Sequence, residues 1–161
     1  MSDRLVCFFS ASGVTRELSS RLSGLIGADV FEIVPEQIYT KSDLNWINPK
    51  SRSSVEMKDR SSRPAISSRI ENIDGYKYIF VGFPVWWYRE PSIIDTFLES
   101  YDFSGKVIIP FCTSGSSKIG NSAENMRALA NGAKVLDGLR FARKVKDDEL
   151  KSWAEEKIKE A

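Results

Sequence analysis

Three strand-length stretches that are almost wholly apolar constrain this chain more than any other feature: Arg4-Leu5-Val6-Cys7-Phe8-Phe9, Tyr78-Ile79-Phe80-Val81-Gly82-Phe83 and Val107-Ile108-Ile109-Pro110-Phe111-Cys112. A strand with one wet face alternates apolar and polar residues. A strand without alternation is covered on both faces, the normal state of a parallel sheet sandwiched between helices.

The segments between these runs supply the helices. After the first run, Val14, Leu18, Leu22, Leu25 and Ile26 recur at helical spacing and Gly27 is a natural stop. Val30, Phe31, Ile33 and Val34 then form a second strand closed by Pro35, so the opening is a βαβ unit with a right-handed crossover. Pro91 fits the first turn of a helix bearing Ile93, Ile94, Phe97, Leu98 and Tyr101. A further helix is expected over about Ser122 to Asn131, a last strand near Lys134 to Leu139, and a terminal helix from Asp148 carrying Leu150, Trp153, Ala154 and Ile158 on one face. Residues 36–68 are polar and lack a period, with a short helix expected to start at Ser42-Asp43-Leu44-Asn45-Trp46. At 161 residues the chain is read as one α/β domain, 1–161, with that polar insertion.

Composition removes several function classes. With 23 basic against 22 acidic residues the net charge is +1, which gives no electrostatic case for nucleic acid. The chain has no histidine, so Ser-His and Cys-His catalytic pairs and most transition-metal sites are excluded. Cys7 and Cys112 lie inside apolar runs and are expected as buried thiols. No apolar run reaches the roughly 18 residues of a membrane span, and no signal-peptide core follows Met1, so a cytoplasmic protein without a membrane partner is expected.

Chemistry gathers where the apolar runs end. In doubly wound sheets ligands sit outside the carboxyl ends of the strands. Ser10, Ser12, Gly13, Val14 and Thr15 follow the first run and offer hydroxyls and backbone N–H groups ahead of a helix, the means of holding a phosphate. The loop lacks the lysine of a triphosphate P-loop and the Gly-x-Gly-x-x-Gly fingerprint of dinucleotide sites, so a single phosphate monoester fits best. The competing reading is an ordinary serine-rich helix cap. Pro84, Val85, Trp86, Trp87 and Tyr88 follow the third strand and can flank a flat ring, although one or two of these rings packing a helix is the plain alternative. Thr113, Ser114, Gly115 and Ser116 follow the fourth. A Cys-x5-Arg loop of a phosphatase or arsenate reductase fits poorly, because Cys112 to Lys118 has the spacing but ends in lysine, which lacks the bidentate contact of arginine with an oxyanion.

These three loops together resemble the flavodoxin-like family. Ser10-Ala11-Ser12-Gly13-Val14-Thr15 matches its phosphate loop, Thr/Ser-x-Thr/Ser-Gly-x-Thr, while Gly82-Phe83-Pro84-Val85-Trp86-Trp87 and Thr113-Ser114-Gly115-Ser116 look like the flavin-ring loops of the branch with a Pro-x-Trp-Trp loop. Tyr39, Asp43-Leu44-Asn45-Trp46 and Ser51-Arg52-Ser53-Ser54 are similar to the insertion of that branch. The resemblance implies a five-stranded parallel sheet of order 2-1-3-4-5 with helices on both faces, and FMN as cofactor. Ser10, Ser12, Gly13, Val14 and Thr15 would hold the phosphate. Pro84, Val85, Trp86 and Trp87 would line the ring, and Thr113, Ser114, Gly115 and Ser116 its pyrimidine side. Lys118 departs from the small residue usual there; near the ring it would favour the anionic reduced flavin.

The expected function is an FMN oxidoreductase that passes electrons from a nicotinamide to a small acceptor such as a quinone, with the chemistry at flavin N5 and no catalytic side chain or metal. Carrier flavodoxins resemble one another in strong acidity, which this chain lacks. An electron carrier for a protein partner and a non-catalytic flavin sensor are the alternatives, and a homodimer is left open.

Overall fold

A computed structural model describes residues 2–114 and 118–161. The chain runs β1 (Arg4–Phe8), α1 (Val14–Ile26), β2 (Asp29–Glu32), α2 (Arg52–Lys58), a 3₁₀ turn at Ile73–Gly75, β3 (Tyr78–Pro84), α3 (Ser92–Glu99), β4 (Val107–Thr113), α4 (Ser122–Leu129), β5 (Lys134–Val135), β6 (Leu139–Phe141) and α5 (Asp147–Glu160). All strand pairs are parallel, in the order β2-β1-β3-β4-β5, with β6 also paired to β4.

Alternate side chains of the central strands enter two cores. Leu5, Cys7, Ile79, Val81, Phe83, Ile108 and Cys112 meet Ile93, Ile94, Phe97 and Leu98 of α3 and Met126 of α4. Val6, Phe80, Val107, Ile109 and Phe111 meet Leu18, Leu22 and Ile26 of α1 and Leu150, Trp153 and Ala154 of α5. The period of two thus places helices on both faces, as the unbroken apolar runs require. Both cysteines are buried free thiols, and desolvation pushes the Cys7 thiol well up from its ordinary value. Among the described residues no helix is long and apolar enough to cross a membrane.

Two expectations need correction. The single last strand expected at Lys134 to Leu139 is two short strands, β5 and β6, one after the other along β4. Leu136 donates its N–H to the Ile108 carbonyl, so Ile108 and, two residues on, Pro110 face this edge. Pro110 has no N–H to give, and the ladder breaks opposite it. Gly138 spans the gap against the Pro110 carbonyl, where an added Cβ would lie 2.4 Å from that oxygen.

The second correction concerns the helix expected from Ser42. Thr40 and Asp43 instead close a turn on each other, Thr40 N–H to Asp43 Oδ2 at 2.9 Å and Asp43 N–H to Thr40 Oγ1 at 3.1 Å. Pro49 then prevents a helix from continuing. The helix of the insertion begins instead at Arg52, with Ser51 as its cap.

Candidate cofactor-binding site

The loop between β1 and α1 is built on Gly13, the N-cap of α1, in the left-handed region at φ 96°. Ser10 Oγ accepts from Gly13 N–H at 3.0 Å, which curls the loop over the helix end. The first-turn N–H groups of Val14, Thr15 and Arg16 have no intrahelical acceptor, so they and the helix dipole favour an anion there. Ser10, Ala11, Ser12 and Gly13, with Arg16 and Tyr39, line a cavity of about 280 Å³. Arg16 carries a positive charge beside it and is paired with Glu32 at 2.5 Å. Sequence reasoning passed over Arg16, although a basic residue in a helix's first turn opposes the dipole and is itself a signal of an expected anion.

Thr15 differs from its neighbours. It is buried, and its hydroxyl lies 2.7 Å from the Thr113 hydroxyl at the end of β4. Thr15 therefore ties the first loop to the third while one lone pair stays available to a ligand.

The second loop holds the most strained backbone in the described chain. Trp86 and Arg89 exchange both backbone hydrogen bonds, at 3.1 and 3.2 Å, around Trp87 at φ 48° and Tyr88 at φ 63°. Two positive φ values in a two-residue turn are the signature of type I′, which glycine and asparagine normally occupy. Aromatic residues there cost about 1–3 kcal/mol each, and the expense is tolerated where the side chains are needed. The turn holds Trp87 and Tyr88 in solvent, at 43% and 73% exposure. Trp86 instead packs edge-on against Phe9 and Tyr39, ring centroids 5.6 and 5.4 Å away. The three aromatics thus divide into one structural wall and two presented rings.

Below this turn lies a charge network that sequence reasoning did not find. Arg89, Glu90 and Asp95 are buried, with Arg89 Nη1 3.8 Å from Glu90 Oε2 and 3.6 Å from Asp95 Oδ2. Asn125 of α4 donates to Glu90 Oε1 at 3.0 Å. Burial, then the hydrogen bond and charge of Glu90, push Asp95 up to about 8. Local sequence carried no sign of this, because the two acids meet only when the turn packs onto α3.

The insertion closes the far side. Tyr39 donates to Glu56 Oε1 at 2.5 Å and lies under the Arg52 guanidinium, 3.8 Å from its ring centroid. Burial, with Glu56, pushes the Tyr39 phenol well up from its ordinary value, so it stays protonated. Leu44, Trp46 and Ser53 join Ala11, Ser12 and the Pro84–Tyr88 segment around a cleft of about 730 Å³. Ala11 and Ser12 also line the smaller cavity, so the two spaces share a wall.

The third loop is joined to the others by Val85 N–H, which donates to the Thr113 carbonyl at 3.2 Å. Gly120, at φ 64°, packs on the second turn so closely that an added Cβ would lie 2.0 Å from the Tyr88 carbonyl oxygen. Ser114 is half-buried and Lys118 exposed; Gly115 and Ser116, the other two residues expected in this loop, lie outside the described residues. The structure therefore brings Ser10, Ser12, Gly13, Val14, Thr15, Pro84, Val85, Trp86, Trp87, Thr113 and Ser114 to one end of the sheet.

A parallel 2-1-3-4-5 sheet with an anion-ready helix end and an aromatic cleft at the carboxyl ends of β1, β3 and β4 defines a flavodoxin-like protein. Residues 3–157 match the family model for flavodoxin, and the chain belongs to that family. It is similar to the solved structures of two candidate flavoproteins, from Bacteroides eggerthii DSM 20697 (40% identity, 96% of this chain and 97% of that one, TM-score 0.90) and Bacteroides uniformis ATCC 8492 (39%, 94% and 97%, 0.89). The fold is shared with a flavoprotein from Lactobacillus acidophilus NCFM solved in complex with FMN (20% identity, 94% and 97% coverage, TM-score 0.70). No curated protein matches the chain.

Proposed function

We propose that this protein binds FMN and uses it to pass electrons from a nicotinamide to a small acceptor such as a quinone. The observation that carries the reading is the pair of adjoining spaces: a small one on a helix N-terminus and a larger aromatic one, sharing Ala11 and Ser12. A phosphate monoester on a linker, ending in a flat tricyclic ring, has that division of chemistry. The donor set fits the group, since the first turn of α1 and Ser12 present N–H and O–H to an anion while Pro84, Val85 and Trp86 are apolar or aromatic.

FMN supplies hydride and single-electron chemistry when bound. The chain's own residues do the rest. Ser10 shapes the phosphate loop, Thr15 joins it to Thr113, and Trp86, braced by Phe9 and Tyr39, walls the ring cleft. Trp87, Tyr88 and Trp46 stand at the cleft mouth, where a planar reactant can stack and water is displaced. No side-chain acid or base is required, which suits a chain without histidine.

That exposed aromatic rim also favours a second reading, a carrier that docks a protein partner over the cleft. An absorption spectrum of the purified protein, uptake of added FMN, and NADH or NADPH oxidation with a quinone acceptor test both. Failure to take up FMN refutes the reading. Uptake without nicotinamide oxidation moves it to the carrier.

A further inference from the structure

The break in the last strand has a consequence at the site. Because the chain resumes as β6, Arg140 is paired with Cys112 at the carboxyl end of β4 and its side chain reaches Ser114. Its Nη2 donates to the Ser114 carbonyl at 3.0 Å and its Nε to Ser114 Oγ at 3.2 Å. This is a forked contact from a planar group, with a geometry that lysine does not reproduce. The guanidinium is half-buried, so its charge is incompletely screened by water. The charge is felt on β4: burial pushes the Cys112 thiol up to about 12, with Arg140 acting in the opposite direction.

We propose that Arg140 is a positioning residue for the pyrimidine side of the flavin: its fork fixes Ser114, and its charge, held beside Ser114, favours reduced over oxidised cofactor. The inference rests on the FMN reading above and on Thr113 and Ser114 facing the pyrimidine half of the ring. Reduction loads that half with negative charge, so a fixed cation near it stabilises the reduced form more than the neutral oxidised one. The same residue thus does two separable things, one through hydrogen bonds and one through charge.

The test is the reduction potential of bound FMN, measured by spectroelectrochemical titration of the reconstituted full chain, for wild type, Arg140→Lys, Arg140→Gln and Arg140→Met. Arg140→Met is expected to lose about tenfold in its preference for reduced FMN, a fall of about 30 mV for the two-electron couple. Arg140→Gln, which keeps a donor for Ser114 but no charge, should fall with it, and Arg140→Lys should stay nearer wild type. Unchanged potentials in Arg140→Gln and Arg140→Met overturn the proposal, as does a fall in Arg140→Lys equal to that in Arg140→Met. Where a variant fails to retain FMN, a melting temperature matching the wild-type apoprotein supports the positioning role, and a large loss of melting temperature overturns it. Wild type that takes up no FMN fails the parent reading instead, so the two failures are distinguishable.

Discussion

Replacing Asp95 by Asn should abolish a pH dependence of stability that the wild-type chain carries between about pH 4 and pH 8. Asp95 is 1% exposed, and neither its Oδ1 nor Glu90 Oε2 has a hydrogen-bond donor among the described residues. Arg89 Nη1 is 3.6 Å from Asp95 Oδ2 and Arg63 Nη1 is 3.9 Å from it, while Asn125 serves Glu90 from α4. Two carboxyls against these partners are best satisfied with one proton held between them. Asp95 accordingly rises from 3.8 to about 8, first through burial and then through Glu90.

A raised acid makes its folded-state contribution in full below the unfolded value and loses it as pH climbs toward the folded one. Through that window the unfolded chain releases the proton and the folded chain does not, so stability falls by up to about 1.4 kcal/mol per pH unit. Between pH 5 and pH 7 this amounts to about 2–3 kcal/mol. The chain has no histidine, and the lowered carboxylates Asp59, Asp102 and Asp137 titrate below 3.8, adding stability that is lost only as pH falls below it.

Asn matches the shape of protonated Asp and can donate to Glu90 without titrating. Urea unfolding of wild type and Asp95→Asn at pH 5, 6 and 7 should show the wild type losing stability across the series and the variant staying flat, at least as stable at pH 7. Parallel profiles for the two proteins would refute the shared-proton argument.

Other outcomes follow from the same geometry. Ser12→Ala with Thr15→Ala should weaken FMN affinity, each charged hydrogen bond being worth about 1.5–3 kcal/mol, and fluorescence titration reads the loss. Thr15→Val should also cost about 1–3 kcal/mol of apoprotein stability by leaving buried Thr113 Oγ1 without its partner at 2.7 Å, seen in urea melts. Gly120→Ala drives a Cβ into the Tyr88 carbonyl and should lower both the melting temperature and FMN affinity, whereas Lys118→Ala, at an exposed position, should leave the melting temperature unchanged. Leu150→Ala on α5, at a fully buried position, should destabilise by about 2–5 kcal/mol in denaturant titration.

Much of this architecture is legible in single runs of residues. Unbroken apolar strands demand cover on both faces, Gly27 ends α1 in the left-handed conformation at φ 65°, and Ser-rich residues after β1 mark an anion-ready helix end. Those are local facts: periodicity, glycine dihedrals and the four unpaired N–H groups of any helix start. Even Pro110, whose missing N–H breaks the last strand, was visible in the sequence, but not which neighbour its nitrogen would face.

What the chain by itself determined was the layered α/β sheet, the three loops at one end and the class of ligand they suit. Tertiary structure alone decided that Thr15 bonds to Thr113, 98 positions away in sequence, that Trp86 becomes a wall while Trp87 and Tyr88 are turned outward, that Glu90 and Asp95 meet in the dark of the core, and that Arg140 arrives beside Ser114. The reason is physical. Local pattern records what each residue does with its near neighbours, whereas burial, shared protons and forked contacts arise only between segments that the sheet register brings together.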